Sequence, residues 1–197
     1  MTVRTAPPLS DARSSSFGMA PFEVLDGCHQ EMIEMLGDLR RLMAHVAEQG
    51  LDDTARALAR NTHLFFTTTA VNHHLDEERH VFPALLRSDN ASLRSAIHRL
   101  QQDHAWLESR WMALAPRLDY MARGHQWHDM TDVNHHIEGF TGLYQNHIAL
   151  EESLIYPPAR AQLSPDELHT MSREMAERRN KPRATDHIED RSNGDDD

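Results

Sequence analysis

Two segments of the chain combine histidines and carboxylates at a spacing suited to metal binding. HHLDEERHVFP, residues 73–83, and HIALEESLIYP, residues 147–157, share the pattern His-x-x-x-Glu-Glu-x-x-x-aromatic-Pro. Both lie in stretches with helical apolar periodicity, where residues four apart share one helix face. An imidazole and a carboxylate on one face can hold a cation together, whereas burying them without partners would be unfavourable by roughly several kcal/mol each.

Six side chains at core positions of four predicted helices are the candidate metal ligands. Each helix contributes one histidine to its apolar stripe, and the second and fourth helices add a glutamate one turn further on. The candidates are His29, His73, Glu77, His104, His147 and Glu151. At the helical rise per residue, all six are expected at depths of roughly 12 to 24 Å from one end of the bundle. They are therefore predicted to meet in one layer.

Two simpler explanations compete with a metal site. A single core histidine is more often a hydrogen-bonded structural residue, and imidazolium and carboxylate groups could form a buried salt-bridge network. Six groups at one depth weaken the first explanation, and buried ion pairs seldom compensate for their desolvation. Neutral imidazoles with two carboxylates suit two octahedral first-row ions that share the carboxylates as bridges. One tetrahedral zinc ion needs fewer ligands.

Four amphipathic helices are predicted to position these residues. Their predicted starts are at Pro21, at Asp52 or Asp53, after the cap residue Asn90, and at Thr131 or Asp132. Short loops between such helices favour an all-α fold, an antiparallel up-down-up-down four-helix bundle. The segment that follows Ser164 resembles a helix start and could form a short fifth helix.

The composition favours one domain flanked by tails. Residues 1–19 are rich in Pro, Ser, Thr and Arg, and segment 164–197 ends in an acidic run. Apart from the short fifth helix, both are predicted to be disordered. Residues 20–163 are assigned to the bundle.

Net charge, hydropathy and cysteine content limit the possible binding partners of the protein and its cellular compartment. A formal net charge of −11 disfavours nucleic acid, because phosphate binding needs a basic patch. No apolar run approaches the roughly 20 residues of a membrane span, and no secretory leader is recognisable. Cys28 is the only cysteine, which excludes an internal disulfide framework. A cytoplasmic protein without membrane contact is expected.

These motifs resemble the bacterial hemerythrin-like proteins of the His-His-Glu cation-binding type. The resemblance covers about residues 21–160 and depends on His29, HHLDEERHVFP, His104 within DHAWLE, and HIALEESLIYP. It implies a four-helix bundle around a non-haem di-iron centre that meets O2 or NO. It also implies that the six candidates hold the two iron ions.

The repeat itself chooses between neighbouring candidates. The spacing Glu-x5-Pro begins at Glu77 in the first segment and at Glu151 in the second. It selects His73 over His74 and Glu77 over Glu78. The two residues not selected are expected at the edge of the apolar stripe, as outer partners of the ligands.

Two positions depart from the oxygen-carrying hemerythrins of marine invertebrates. Those proteins use an additional histidine four residues after the third-helix ligand and an aspartate in the fourth helix, where this chain has Glu108 and Glu151. Fewer nitrogen donors argue against reversible oxygen carriage. Glu108 could be a seventh ligand, an outer acid or a solvated residue. Tyr144, one turn before His147, is the aromatic residue whose hydroxyl is expected to reach the site.

Three classes of function follow from this site. The favoured one is a di-iron protein that binds O2, NO or iron for sensing, storage or delivery, and a sensor would need a separate signalling partner. The alternative is a di-iron enzyme that reduces peroxide or NO, or oxidises iron. Such an enzyme would need an external electron-donor protein, since the chain shows no second cysteine or redox domain. The third is a metal-free bundle that acts through its surface.

Overall fold

The computed structural model describes residues 20–180, and all regular structure in that range is helical, as predicted. We number five helices. α1 spans Pro21–Gln49, α3 spans Ala91–Ala122 and α5 spans Pro165–Asn180. α2 comprises Asp53–Asp76, a π-helical turn at Glu77–Val81 and a final segment at Phe82–Leu86. α4 comprises Met130–Leu150, a π-helical turn at Glu151–Ile155 and a final segment at Tyr156–Gln162. The predicted disordered tails, residues 1–19 and the end of 164–197, fall outside the described residues.

Side-chain caps fix three of the helix starts. Asp52, Asn90 and Asp129 each accept a hydrogen bond from the backbone N–H three residues later, at 2.9, 3.1 and 2.9 Å. The caps of α2 and α3 lie at predicted positions. The predicted start of α4 at Thr131 or Asp132 is wrong, because Asp129 caps the helix and Met130 already belongs to it.

Consecutive helices among α1 to α4 pack against each other, and α4 also contacts α1, so that these four helices surround a shared interior. This arrangement is a helical bundle. Gly50 and Gly124 follow α1 and α3 with φ of 79° and 88°, a conformation that glycine adopts without strain and that ends a helix. Within residues 20–180, the structure has no helix long and apolar enough to cross a membrane.

A polar layer divides the interior into two apolar clusters. On α1, Leu25 belongs to one cluster and Met32 to the other, with His29 between them. On α3, Leu100 and Leu107 flank the layer in the same way. The predicted meeting of polar side chains at one depth is therefore a feature of the fold, and the apolar clusters hold the helices on both sides of it.

Helix α5 is anchored to the bundle by a buried carboxylate. Asp76 is fully buried, and its side chain accepts hydrogen bonds from Arg178 Nε at 2.9 Å and Arg179 Nη2 at 2.8 Å. Met171 and Met175 of α5 are buried in one of the apolar clusters. Because Asp76 directly precedes Glu77, α5 braces the helix turn that carries a candidate ligand.

Candidate metal centre

The six predicted ligands lie together in the polar layer, and each is no more than 6% exposed. They form two overlapping sets in which one nitrogen or oxygen atom of each residue lies within 4.8 Å of the others. The first set is His29, His73, Glu77 and Glu151, and the second is Glu77, His104, His147 and Glu151. Both carboxylates belong to both sets. The structure thus brings all six residues together, and their role as ligands stays a prediction.

Glu151 directs its two oxygen atoms toward different sets. Its Oε2 atom lies 3.2 Å from Nε2 of His29, and its Oε1 atom lies 3.1 Å from Nε2 of His147. These histidines are on α1 and α4. A carboxylate oriented in this way can bridge two cations.

Glu77 has the equivalent orientation. Its Oε1 atom lies 3.4 Å from Nε2 of His73, and its Oε2 atom lies 3.5 Å from Nε2 of His104. Since α2 and α4 each supply one such carboxylate, the two sets are related by the repeat in the sequence.

Many polar atoms of this layer are buried without a hydrogen-bond partner in the part of the chain that the structure describes. They are both ring nitrogens of His73 and of His147, Nε2 of His104, Oε2 of Glu77 and both carboxylate oxygens of Glu151. Buried polar groups in folded proteins are almost always satisfied. A structural salt-bridge network would satisfy these atoms. Imidazole nitrogens and carboxylate oxygens that face one another without hydrogen bonds instead fit a pair of cations.

Two carboxylates outside the paired sets orient His104 and His29. Each carboxylate belongs to one half of the chain and contacts a histidine of the other half. Nδ1 of His104 lies 2.8 Å from Oε1 of Glu78, and Nδ1 of His29 lies 3.2 Å from Oε1 of Glu152. An Nδ1–H that donates to a carboxylate fixes the tautomer and leaves Nε2 free to face the layer. The sequence pointed to Glu78 as an outer partner but not to Glu152. The signal that could have identified Glu152 was the second glutamate of the repeated motif.

The π-helical turns begin at the two shared glutamates. In each turn the backbone N–H of the aromatic residue, Phe82 or Tyr156, bonds the carbonyl of the glutamate five residues earlier. The proline that follows has no N–H to donate, so the regular helical ladder is interrupted there in any case. The extra residue in the turn brings both aromatic rings into the core, where they are at most 2% exposed.

Tyr156 is a site residue that the sequence reasoning missed. Its hydroxyl donates a 2.6 Å hydrogen bond to Oε1 of Glu77 and lies 3.3 Å from Nε2 of His29. Its ring stacks on His29 with centroids 5.2 Å apart. The expected hydroxyl was that of Tyr144, which packs edge-on against His147 instead, with centroids 6.2 Å apart. The aromatic position of the repeat was the signal that could have identified Tyr156.

Burial and neighbouring charges set the protonation of the metal-free site. Burial lowers the pKa of His104, but the carboxylates of Glu151, Glu77 and Glu78 outweigh it and raise this pKa to about 11. Burial holds the pKa of His73 well below its usual value, helped by neighbouring imidazoles. Burial and repulsion from Glu151 raise the pKa of Glu77 to about 6. A cation that binds here must therefore displace the proton of His104.

Glu108, whose role the sequence left open, and Cys28, the neighbour of His29, lie outside the paired sets. Glu108 is exposed on α3 and belongs to neither set, which matches a solvated residue. Cys28 is buried, and burial raises the pKa of its thiol far above the usual value, so that it stays protonated. Cys28 belongs to neither set and packs in one of the apolar clusters.

Together the helical bundle and its paired histidine and carboxylate sets define a cation-binding domain. A family model described as the hemerythrin HHE cation-binding domain matches residues 20–159. A protein of Haemophilus influenzae, described only as uncharacterized, is 31% identical over 165 residues, which cover 81% of this chain and 90% of that protein. The chain belongs to the hemerythrin HHE cation-binding family, and the resemblance seen in the sequence is confirmed.

Proposed function

We propose that the protein binds two iron ions in the polar layer and uses them to bind a small ligand, O2 or NO, or to hold iron itself for storage or delivery. The observation that carries this proposal is that two sets of buried donors share both carboxylates, Glu77 and Glu151. One ion would be held by His29 and His73 and the other by His104 and His147. Mixed imidazole and carboxylate sets of this kind in helical bundles suit paired iron ions.

The surroundings of the site support a small ligand. A cavity of about 320 Å³ lies against His104 and His74 and is lined by Phe66, Trp111 and the exposed Glu108. It gives a diatomic molecule a route from the surface toward the layer. Iron bound in the polar layer would coordinate O2 or NO, and the aromatic side chains that line the cavity would exclude bulk water from that ligand.

Two further expectations are part of the proposal. The antiparallel up-down-up-down order of α1 to α4 is supported by their short connections and their mutual contacts. A cytoplasmic location is supported by the single, buried cysteine, which suits a reducing compartment.

Anaerobic loading with Fe(II) tests the proposal. We expect roughly two iron ions per chain and near-ultraviolet absorption bands that change when O2, NO or azide is added. Glu151→Ala and His104→Ala are each expected to reduce bound iron sharply, whereas His128→Ala, an exposed histidine, is expected to leave it unchanged. Equal iron contents in the three variants would overturn the ligand assignment, and a wild-type protein without iron would overturn the function.

One observation favours the enzyme alternative. The buried hydroxyl of Tyr156 places a proton donor directly beside Glu77 and His29. Burial raises the pKa of Tyr156 well above its usual value, so the hydroxyl stays protonated. Sustained consumption of peroxide or NO in the presence of an added reductant would identify an enzyme. A single stoichiometric reaction would identify a binding protein.

A further inference from the structure

His74 distinguishes the two halves of the chain at the polar layer. It follows His73 directly on α2, and the corresponding residue after His147 on α4 is the apolar Ile148. The repeat therefore does not require a histidine here. The ring of His74 is half-buried and stacks on that of His104, with centroids 4.0 Å apart and an interplanar angle of 16°.

The ring of His74 also completes a third group of nitrogen donors. His74, His104 and His147 each offer one ring nitrogen, and these three atoms lie within 4.8 Å of one another. Nε2 of His74 is buried and has no hydrogen-bond partner among residues 20–180. A buried imidazole nitrogen without a hydrogen-bond partner is unfavourable, and binding a cation would satisfy it.

We propose that His74 is an additional nitrogen ligand of the ion held by His104 and His147. The inference depends on the proposed function and deepens it. Glu108 of α3, which the sequence left open as a further ligand, is exposed and outside the sets. The adjacent face of α2 supplies that nitrogen instead.

The consequence is a pair of unequal ions. The ion on the side of His104 would have three imidazole ligands, whereas the ion on the side of His29 would have two imidazoles beside the hydroxyl of Tyr156. Both ions would share the carboxylates of Glu77 and Glu151. The cavity lined by His74 and His104 would then lie on the side of the ion with three imidazole ligands.

His74→Phe separates a ligand from a packing residue, because phenylalanine keeps an aromatic ring to stack on His104 and removes the nitrogen atoms. Wild-type and variant proteins are loaded with Co(II), and the affinity for each ion is measured by competition with a chelator. Proton NMR then detects the hyperfine-shifted imidazole N–H signals of the ligating histidines. We expect one of the two ions to bind at least ten-fold more weakly and one shifted N–H signal to be lost, with the other ion unaffected.

His63→Phe is the matched control. His63 lies on the same helix, and its ring packs against Trp111 with centroids 5.9 Å apart, next to the same cavity. Wild-type affinities and signals are expected for this variant. The same wild-type result for His74→Phe would overturn the ligand role of His74 but leave the proposed function intact. Wild-type protein that binds no Co(II) and no Fe(II) would overturn the proposed function itself.

A second variant keeps the test decisive if His74→Phe does not fold. His74→Ala opens a cavity that free imidazole can enter. We expect added imidazole, but not benzene, to restore the affinity for the weakened ion. His74 would have a packing role if His74→Ala bound both ions as tightly as the wild type without imidazole. Equal rescue by benzene would lead to the same assignment.

Discussion

The hydroxyl of Tyr156 donates a 2.6 Å hydrogen bond to Oε1 of Glu77, and it joins the second helical hairpin to a shared carboxylate of the first. Phe82 occupies the equivalent position in the first hairpin and has no hydroxyl. Its ring lies 5.6 Å from that of His104 instead. The two halves of the site thus share their carboxylates and histidines but differ in hydrogen bonding, and this difference can be measured.

Tyr156→Phe is expected to lower the free energy of unfolding of the metal-free protein by about 1 to 3 kcal/mol, because an oxygen of the buried Glu77 loses its donor. Urea denaturation monitored by circular dichroism measures this. Tyr144→Phe is the control, since Tyr144 is also buried but its ring packs against His147 rather than bonding a shared carboxylate. Equal destabilisation by the two variants would show that the hydrogen bond to Glu77 contributes little.

The outer carboxylates are expected to control metal affinity from outside the paired sets. Glu78→Gln and Glu152→Gln weaken the charge-assisted hydrogen bonds that orient His104 and His29, and each should reduce affinity for one ion by about 10- to 100-fold. Competition with a chelator measures the loss. Glu108→Gln, on the exposed surface of α3, should bind both ions as the wild type does. A similar loss in all three variants would point to overall surface charge instead.

Metal loading is expected to release a proton from His104. In the metal-free protein the carboxylates around this imidazole raise its pKa from 6.5 to about 11, so the ring is charged at neutral pH. Only the neutral ring can bind a cation, so affinity should fall as the pH is lowered. Calorimetry of loading in two buffers with different ionisation enthalpies counts the released protons. A count of zero at pH 7.5 would contradict this protonation state.

The same raised pKa gives the metal-free fold a pH dependence with a defined sign. The charged form of His104 stabilises the fold fully below the ordinary pKa of 6.5, and that contribution declines as the pH rises toward about 11. His104→Ala should remove this component. Melting temperatures of the metal-free wild type and variant between pH 6.5 and pH 9 are expected to converge as the pH rises. Parallel curves would argue against a stabilising contribution from the raised pKa of His104.

Removing the metal is expected to destabilise the protein. The metal-free protein leaves both ring nitrogens of His73 and of His147 buried without hydrogen bonds among the described residues. A cation at about 100 times its dissociation constant would add about 2.7 kcal/mol of stability. Chelation should therefore lower the melting temperature of the wild type and leave that of the doubly substituted Glu77→Ala, Glu151→Ala protein unchanged. A melting temperature indifferent to chelation in both would count against metal binding.

Much of the site follows from helical periodicity. The positions of His29 and His104, each flanked by apolar residues on the same helix face, place a polar group at a set depth, and the rise per residue brings those depths together. Asp52 and Asn90 mark helix starts through local hydrogen bonds that a sequence displays directly. These features depend on residues close together in the chain.

What the sequence did not display depends on the π-helical turns and on distant contacts. An extra residue in the turn after Glu151 changes the helix face, so that a 3.6-residue period misplaces Tyr156 and favours Tyr144. The bond from His29 to Glu152 and the pairing of Asp76 with Arg178 join residues more than a hundred positions apart. Nothing in either local segment specifies such a partner.

The order of the ligands along the chain also dictates when the site can be filled. Both proposed ions need Glu151, which lies 3.2 Å from His29 in space although most of the chain separates them in sequence. A ribosome that has completed only the first hairpin has made three of the six donors. Under the proposed function, iron insertion would wait until the second hairpin has been made, which would couple the supply of iron to folding rather than to translation.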